Sequence, residues 1–118
     1  MKRFGLLLFL ILALAFPSLA QSHSATISIT APSDATSASG YNVYRASGIC
    51  PATAPGTLGW TKLTASPITV LTYTDSTITV GAWCYYVTQV QVGVESSPSN
   101  AAGGTAQPNT VTFTVVIK

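Results

Sequence analysis

Hydrophobic and polar residues alternate over several short segments of this chain, as they do in β-strands that bury one face. Residues 24–30 (SATISIT) are the first such segment, and residues 110–118 (TVTFTVVIK) alternate almost without interruption. Further strands are predicted at 41–46, 60–63 and 68–74. No helical period follows residue 20, so the pattern predicts an all-β fold.

The central strand is predicted at 83–92, a run rich in aromatic and β-branched residues that suit a buried, pleated surface. Trp83, Tyr85 and Val87 are expected to point into the core. Cys84 then lies on the outer face. The alternative is a register shifted by one residue, in which Cys84, Tyr86 and Val90 point inward.

The strand at 41–46 (YNVYRA) is expected to be its neighbour. Alternation directs Tyr41 and Val43 into the core and leaves Asn42 and Tyr44 outside. Tyr44 is therefore a candidate surface aromatic residue.

Turn-forming residues separate these strands. Glycine and proline recur through 47–59, which predicts a loop, and Asp75-Ser76 predicts a turn. Residues 101–104 (AAGG) have a low strand propensity, because glycine has no side chain to pack. Short strands between turns indicate an antiparallel sandwich or barrel.

The first 20 residues have the pattern of a secretory signal peptide. Lys2 and Arg3 precede an apolar run at 4–16, and small residues lead to a cleavage point after Ala20. The alternative is a retained membrane anchor, but the run is shorter than the roughly 20 residues that a spanning helix needs. We expect a secreted, periplasmic or cell-surface protein that is not held in a membrane after cleavage.

Removal of residues 1–20 takes away two of the five basic residues and none of the three acidic ones. The remaining chain has a formal charge of zero and is long enough for one domain. Without a basic surface, binding to nucleic acid is not expected.

The two cysteines, Cys50 and Cys84, are expected to form a disulfide, as cysteine pairs in exported proteins usually do. A metal pair and a redox motif are the alternatives. Zinc requires four ligands, and these cysteines with the single distant His23 cannot supply them. The spacing is also not Cys-x-x-Cys, and no metal or cofactor is expected.

Several segments in order resemble a fibronectin type III domain of the kind found in secreted bacterial proteins. The resemblance covers residues 24 to about 107, and its segments are SATISITAP at 24–32, GYNVYR at 40–45, WTKLTASPI at 60–68, TYTDS at 72–76, CYYVTQV at 84–90 and GVESSPSN at 93–100. It implies a Greek-key β-sandwich in which three strands face four. The implied domain spans 21–107, with 108–118 as an additional C-terminal strand.

The sequence departs from this family at three places. Ile29 stands where the second strand usually has tryptophan, and Trp83 stands at the tyrosine of the corner motif. The first strand is missing or a stub. The segment 110–118 is therefore expected to complete its own domain, or to fold beside the vacated edge. The alternative is that it pairs with an open edge of another subunit.

Catalysis is not expected. Asp34, Asp75 and Glu95 are the only carboxylate side chains, and nothing brings two of them together across a cleft. Asp75 is interpreted as a turn residue that accepts backbone hydrogen bonds. His23 is interpreted as a solvated residue near the N-terminus of the mature chain.

Binding is the remaining function. Trp60, Tyr44 and the 47–59 loop form a candidate surface for an unknown protein or glycan, but the favoured interpretation of Trp60 is that it covers one edge of the core. The chain is thus expected to be a secreted interaction or adhesion module. The alternative is a structural subunit of an extracellular assembly, a homo-oligomer joined through residues 110–118.

Overall fold

The computed structural model describes residues 23–32, 38–108 and 112–117. These residues form an all-β sandwich of two sheets, as predicted. The expected signal peptide, residues 1–20, lies outside the described residues, as does Asp34. The strands are β1 (His23–Ile29), β2 (Gly40–Ser47), β3 (Thr61–Lys62), β4 (Thr72–Ile78), β5 (Gly81–Gln91), β6 (Val94–Glu95), β7 (Ala102–Ala106) and β8 (Thr112–Ile117).

Three strands face five. The smaller sheet has the order β4-β1-β8, and the larger has β3-β2-β5, with β6 and β7 sharing the far side of β5. The larger count arises because β6 and β7 pair with different halves of β5. All pairs are antiparallel except β1 with β8, which is parallel.

The parallel pair follows from where the chain changes sheets. The imidazole Nε2 of His23, at the start of β1, donates to the carbonyl oxygen of Gln107, just after β7, at 3.1 Å. The chain therefore leaves β7 at the end of the sandwich where β1 begins, and β8 runs beside β1 in the same direction. His23 is only 6% exposed, so its interpretation as a solvated residue is wrong.

The core lies between the sheets and follows the predicted alternation. On β5, Tyr85 and Val87 are buried in the core and Trp83 packs against it. Cys84 is also buried, but it is not a core residue. It points to the outer face of the sheet, where it is bonded to Cys50. The other buried core residues are Ala25, Ile27, Ile29, Tyr41, Val43, Ile78, Ala106, Val115 and Ile117.

Asp75 and Ser76 do not form the predicted turn, because β4 runs through them from Thr72 to Ile78. The strand predicted at 68–74 is displaced accordingly, and only an isolated bridge joins Ile68 to Tyr41. One extra residue enters β4 between the partners of His23 and Ala25, which makes a β-bulge. Propensity failed here because the buried Asp75 carboxylate finds hydrogen-bond partners inside the sandwich.

The glycines of β7 were wrongly predicted to weaken a strand. A Cβ at Gly103 would collide with the carbonyl oxygen of Trp83 and lie 2.8 Å from Cys50 Sγ. A Cβ at Gly104 would lie 2.5 Å from the ring of Phe113. Glycine is therefore required on both faces of β7, against the disulfide on one side and β8 on the other.

The β5–β6 hairpin has a strained turn. Val92 has φ = 50° and Gly93 has φ = 75°, the combination of a type I′ turn. Positive φ is unusual for a β-branched residue, and the Val92 side chain is 89% exposed. The turn fixes the register that places Glu95 opposite Val90.

Candidate binding surface

The outer face of the larger sheet carries a pair of stacked tyrosines. Tyr44 on β2 and Tyr86 on β5 are direct partners in the antiparallel register. Their ring centroids lie 4.7 Å apart with an interplanar angle of 16°. Tyr86 is 8% exposed and Tyr44 is half-buried, so Tyr86 forms the base of the surface and Tyr44 its more accessible part.

Trp60 extends this pair into a row of three aromatic rings. Its ring lies 4.5 Å from the Tyr86 ring at 64°, an edge-to-face contact, and its Nε1 donates to the carbonyl oxygen of Pro55 at 2.7 Å. The predicted loop at 47–59 thus holds the indole. Trp60 is neither a core residue nor packed against the core, so the favoured interpretation that it covers one edge of the core is wrong.

Glu95 is the main polar group of this surface and accepts hydrogen bonds from three of its neighbours. Its Oε1 accepts hydrogen bonds from Asn42 Nδ2 at 2.7 Å, Tyr44 Oη at 2.6 Å and Thr88 Oγ1 at 2.8 Å. Its Oε2 accepts none from the residues that the structure describes. The carboxylate is therefore fixed through one oxygen and open to a ligand through the other.

These bonds shift the ionisation of both partners. The hydrogen bonds from Tyr44, Asn42 and Thr88, together with the nearby charge of Lys62, lower the pKa of Glu95 to about 2. Burial and the bond to Glu95 raise the pKa of Tyr44 to about 12. Glu95 is an anion and Tyr44 a neutral phenol at any ordinary pH.

Tyr44, Lys62, Trp60, Tyr86 and Glu95 are together called the aromatic face. Lys62 belongs to it because β3 pairs Lys62 with Tyr44. The sequence identified Tyr44 and Trp60 and missed the other three. Tyr86 could have been found by pairing the outward positions of the two central strands, whereas the place of Glu95 depends on the β5–β6 turn.

A second polar cluster lies between the sheets and has a structural role. Arg45 Nη1 donates to both oxygens of Asp75, at 3.2 and 2.9 Å, and the buried Tyr85 hydroxyl donates to Oδ2 at 2.9 Å. Thr77 donates to Oδ1 through its backbone N–H and its hydroxyl. The guanidinium also lies 4.9 Å from the centroid of the Trp83 ring. These contacts connect the two sheets.

The contacts in this cluster also shift the pKa values of Asp75 and Tyr85. Burial alone would raise the pKa of Asp75, but the hydrogen bonds from Thr77, Arg45 and Tyr85 outweigh it and lower that pKa. Burial, then the bond to Asp75, raises the pKa of Tyr85. Asp75 accepts a backbone bond, as expected of a turn residue, although it lies inside a strand.

The predicted disulfide is present. Cys50 and Cys84 are joined at 2.03 Å, with their Cα atoms 5.1 Å apart. Disulfides persist in oxidising compartments, so this bond indicates an extracellular or periplasmic environment. The bond also fixes the start of the 47–59 loop to β5.

Two other kinds of feature are absent from the described residues. No helix among them is long and apolar enough to cross a membrane. No group of three or more His, Cys, Asp or Glu side chains in the same part of the chain could hold a metal ion.

Comparison of the chain with protein-family models, curated proteins and solved structures found no match. The ligand therefore has to be inferred from the chemistry of the aromatic face.

Proposed function

We propose that the chain is a secreted, non-catalytic binding module of fibronectin type III character, whose aromatic face binds a neutral carbohydrate. The observation that carries this proposal is the fixed juxtaposition of three aromatic rings with an ionised carboxylate that has one open oxygen. Aromatic rings pack against the apolar face of a sugar. A carboxylate and an ammonium beside them accept from and donate to its hydroxyls.

The fibronectin type III part of the proposal rests on the order of the strands and on one corner contact. Trp83 Nε1 donates to the carbonyl oxygen of Thr79, four residues upstream, at 2.8 Å. The corner tyrosine of such sandwiches makes an equivalent bond to the backbone a few residues earlier. An indole N–H serves the same purpose, since only a donor is required.

A carbohydrate is favoured over a protein partner by the size and charge of the face. A stable protein interface covers about 800 Å² on each partner, with a large apolar centre. Here three rings, two of them half-buried and one buried, lie beside a single cation and a single anion. A short oligosaccharide matches this short row better.

Binding without catalysis is favoured by what the carboxylates do. Asp75 is buried between the sheets, and Glu95 lies on the outer face of the larger sheet. Sugar hydrolysis uses two carboxyl groups that flank one bond. These two are on different surfaces and cannot flank a common substrate.

Calorimetric titration with neutral oligosaccharides (cello-, xylo-, malto- and chito-oligomers) tests the proposal. We expect at least one series to bind, with affinity lost in Tyr44→Ala and Trp60→Ala, and no release of reducing ends. Val70→Ala is the matched control, because Val70 is a 59% exposed apolar residue outside the face. Binding that is unchanged in both aromatic variants, or absent in every series, would contradict a carbohydrate site here.

A further inference from the structure

The two sheets expose four lateral edges, and three of them are protected against pairing with another strand. The β4 edge has a bulge, and the β3 edge is two residues long and includes Lys62. The far edge of the larger sheet is broken into the two-residue β6 and the glycine-containing β7. Bulges, short strands and charges are the usual means by which proteins prevent edge-to-edge association.

The β8 edge has none of these protections among its described residues. Thr112–Ile117 reads TFTVVI, six residues that are all β-branched or aromatic, without charge, proline or glycine. These are the residues with the highest strand propensity, and uncharged segments of this kind pair readily. One side of β8 pairs with β1, and no other described strand pairs with it.

We propose that the free edge of β8 binds β8 of a second copy of this chain, antiparallel, and so joins two three-stranded sheets into one of six strands. The contact is isologous, since a two-fold axis relates the strands. With the axis at Val115, Thr114 lies opposite the second copy's Val116. Phe113 then lies opposite the second copy's Ile117. Both of these side chains face the core, and both Thr114 and Val116 face outward, so each pair lies on one face of the joined sheet.

A second copy fits this edge better than a charged peptide does. The described residues of this edge, Thr112–Ile117, have no charged side chain to select one, whereas β8 itself supplies a matching row of β-branched residues. Residues 21–118 carry equal numbers of acidic and basic residues, so two copies have no net repulsion to overcome. Val116, 49% exposed on the outer face of the sheet, would lose part of that exposure.

Sedimentation equilibrium of the oxidised protein, from low micromolar to millimolar concentration, tests the pairing. We expect a monomer–dimer equilibrium. The double variant Thr114→Lys/Val116→Lys is expected to weaken the dimer by about tenfold or more, because it places like charges on facing strands. Thr72→Lys/Thr74→Lys is the matched control, since it adds the same charges to exposed positions on the opposite edge of the same sheet.

A concentration-independent monomer would overturn the proposal, as would equal weakening by the two double variants. Amide exchange of the unmodified protein gives an answer that does not depend on the folding of any variant. Amides of β8 should gain protection as concentration rises. Protection gained elsewhere and not in β8 would place the contact on another surface.

Edge pairing is distinct from an exchange of the C-terminal strand, and a covalent lock separates them. Ser28 and Val116 are register partners on β1 and β8, so Ser28→Cys/Val116→Cys can tie β8 to its own sheet. We expect the locked protein to dimerise still. Loss of the dimer on locking, with recovery on reduction of that bond, would show strand exchange and overturn edge pairing.

Discussion

At the scale of the residue, two carboxylates have opposite roles because of where they lie. Asp75 is 3% exposed and receives all its bonds from within the sandwich, whereas Glu95 is exposed and keeps one oxygen open. The first holds the sheets together through Arg45 and Tyr85. The second holds the aromatic face in one arrangement.

Asp75→Asn is expected to destabilise the fold by about 2–4 kcal/mol at neutral pH, because it removes the charge that Arg45 and Tyr85 are bonded to. The pKa of Asp75 lies below its ordinary value of 3.8 in the folded state. Its stabilisation is therefore complete above about pH 4 and is lost as the pH falls through the folded pKa. Denaturant unfolding at a series of pH values measures both effects.

In the same experiment the difference in free energy of unfolding between the Asp75→Asn variant and the unmodified protein should become smaller as the pH falls. Glu95→Gln is the matched control, with a loss below about 1 kcal/mol, because its bonds are exposed to solvent. A constant gap down to pH 2 would mean that the Asp75 charge does not stabilise the fold.

Val92→Asn is expected to stabilise the protein by roughly 1 kcal/mol and to raise the melting temperature by about 4–8 °C. Asparagine tolerates the positive φ of this turn, which a β-branched residue does not. Thermal unfolding followed by circular dichroism measures the change. Val92→Ala should give a smaller gain, and no gain in either variant would show that the turn is not strained.

At the scale of the element, alternation predicted more than propensity did. It correctly gave β1, β2 and β5 and the inward faces of β2 and β5, because a half-buried strand requires a period of two. Propensity failed at Asp75 and at Gly103-Gly104, which both lie in strands. Those residues are explained by contacts with Arg45, Cys50 and Phe113 that are distant in sequence, so no local pattern contains them.

Gly104→Ala is expected to cost about 1–3 kcal/mol, because its Cβ would overpack the Phe113 ring. Gly59→Ala is the matched control, since no atom lies within 4 Å of the added Cβ. Denaturant unfolding compares them. If both variants are neutral, β7 and β8 are not packed as closely as described.

Ile117→Ala is expected to cost about 2–5 kcal/mol, because Ile117 is 2% exposed in the shared core. Val116→Ala, one residue earlier in the same strand and 49% exposed, should change stability by less than about 0.5 kcal/mol. Unfolding curves at one low concentration give both values. Equal small effects would show that the C-terminal strand is not part of its own core.

At the scale of the whole molecule, the disulfide joins the 47–59 loop, whose Pro55 carbonyl accepts a hydrogen bond from Trp60, to the central strand. The sequence predicted the disulfide but not the bond between the loop and Trp60, because loop conformation is set by contacts and not by local pattern. Likewise Trp60 and Tyr44 were each predicted as candidates, while Tyr86, which connects them, was not.

Replacement of both cysteines by alanine is expected to cost about 3–4 kcal/mol, given their separation of 34 residues in sequence. Near-ultraviolet circular dichroism should also weaken, as the contact between Trp60 and Tyr86 loosens. Chemical unfolding of the oxidised, reduced and double-alanine proteins makes the comparison. Equal stability of all three proteins would show that the disulfide does not stabilise the fold.

The pairing of the first described strand with the last has a consequence for the order of folding. Ala25 is adjacent to Phe113, so β1 lacks a neighbour on that side until β8, 88 residues further along the chain, has been synthesised. Contacts this distant in sequence make folding slow. The smaller sheet is therefore completed late, because β1 can pair with β4 before β8 but lacks its second neighbour until β8 is present. Folding would be completed only when the final strand arrives.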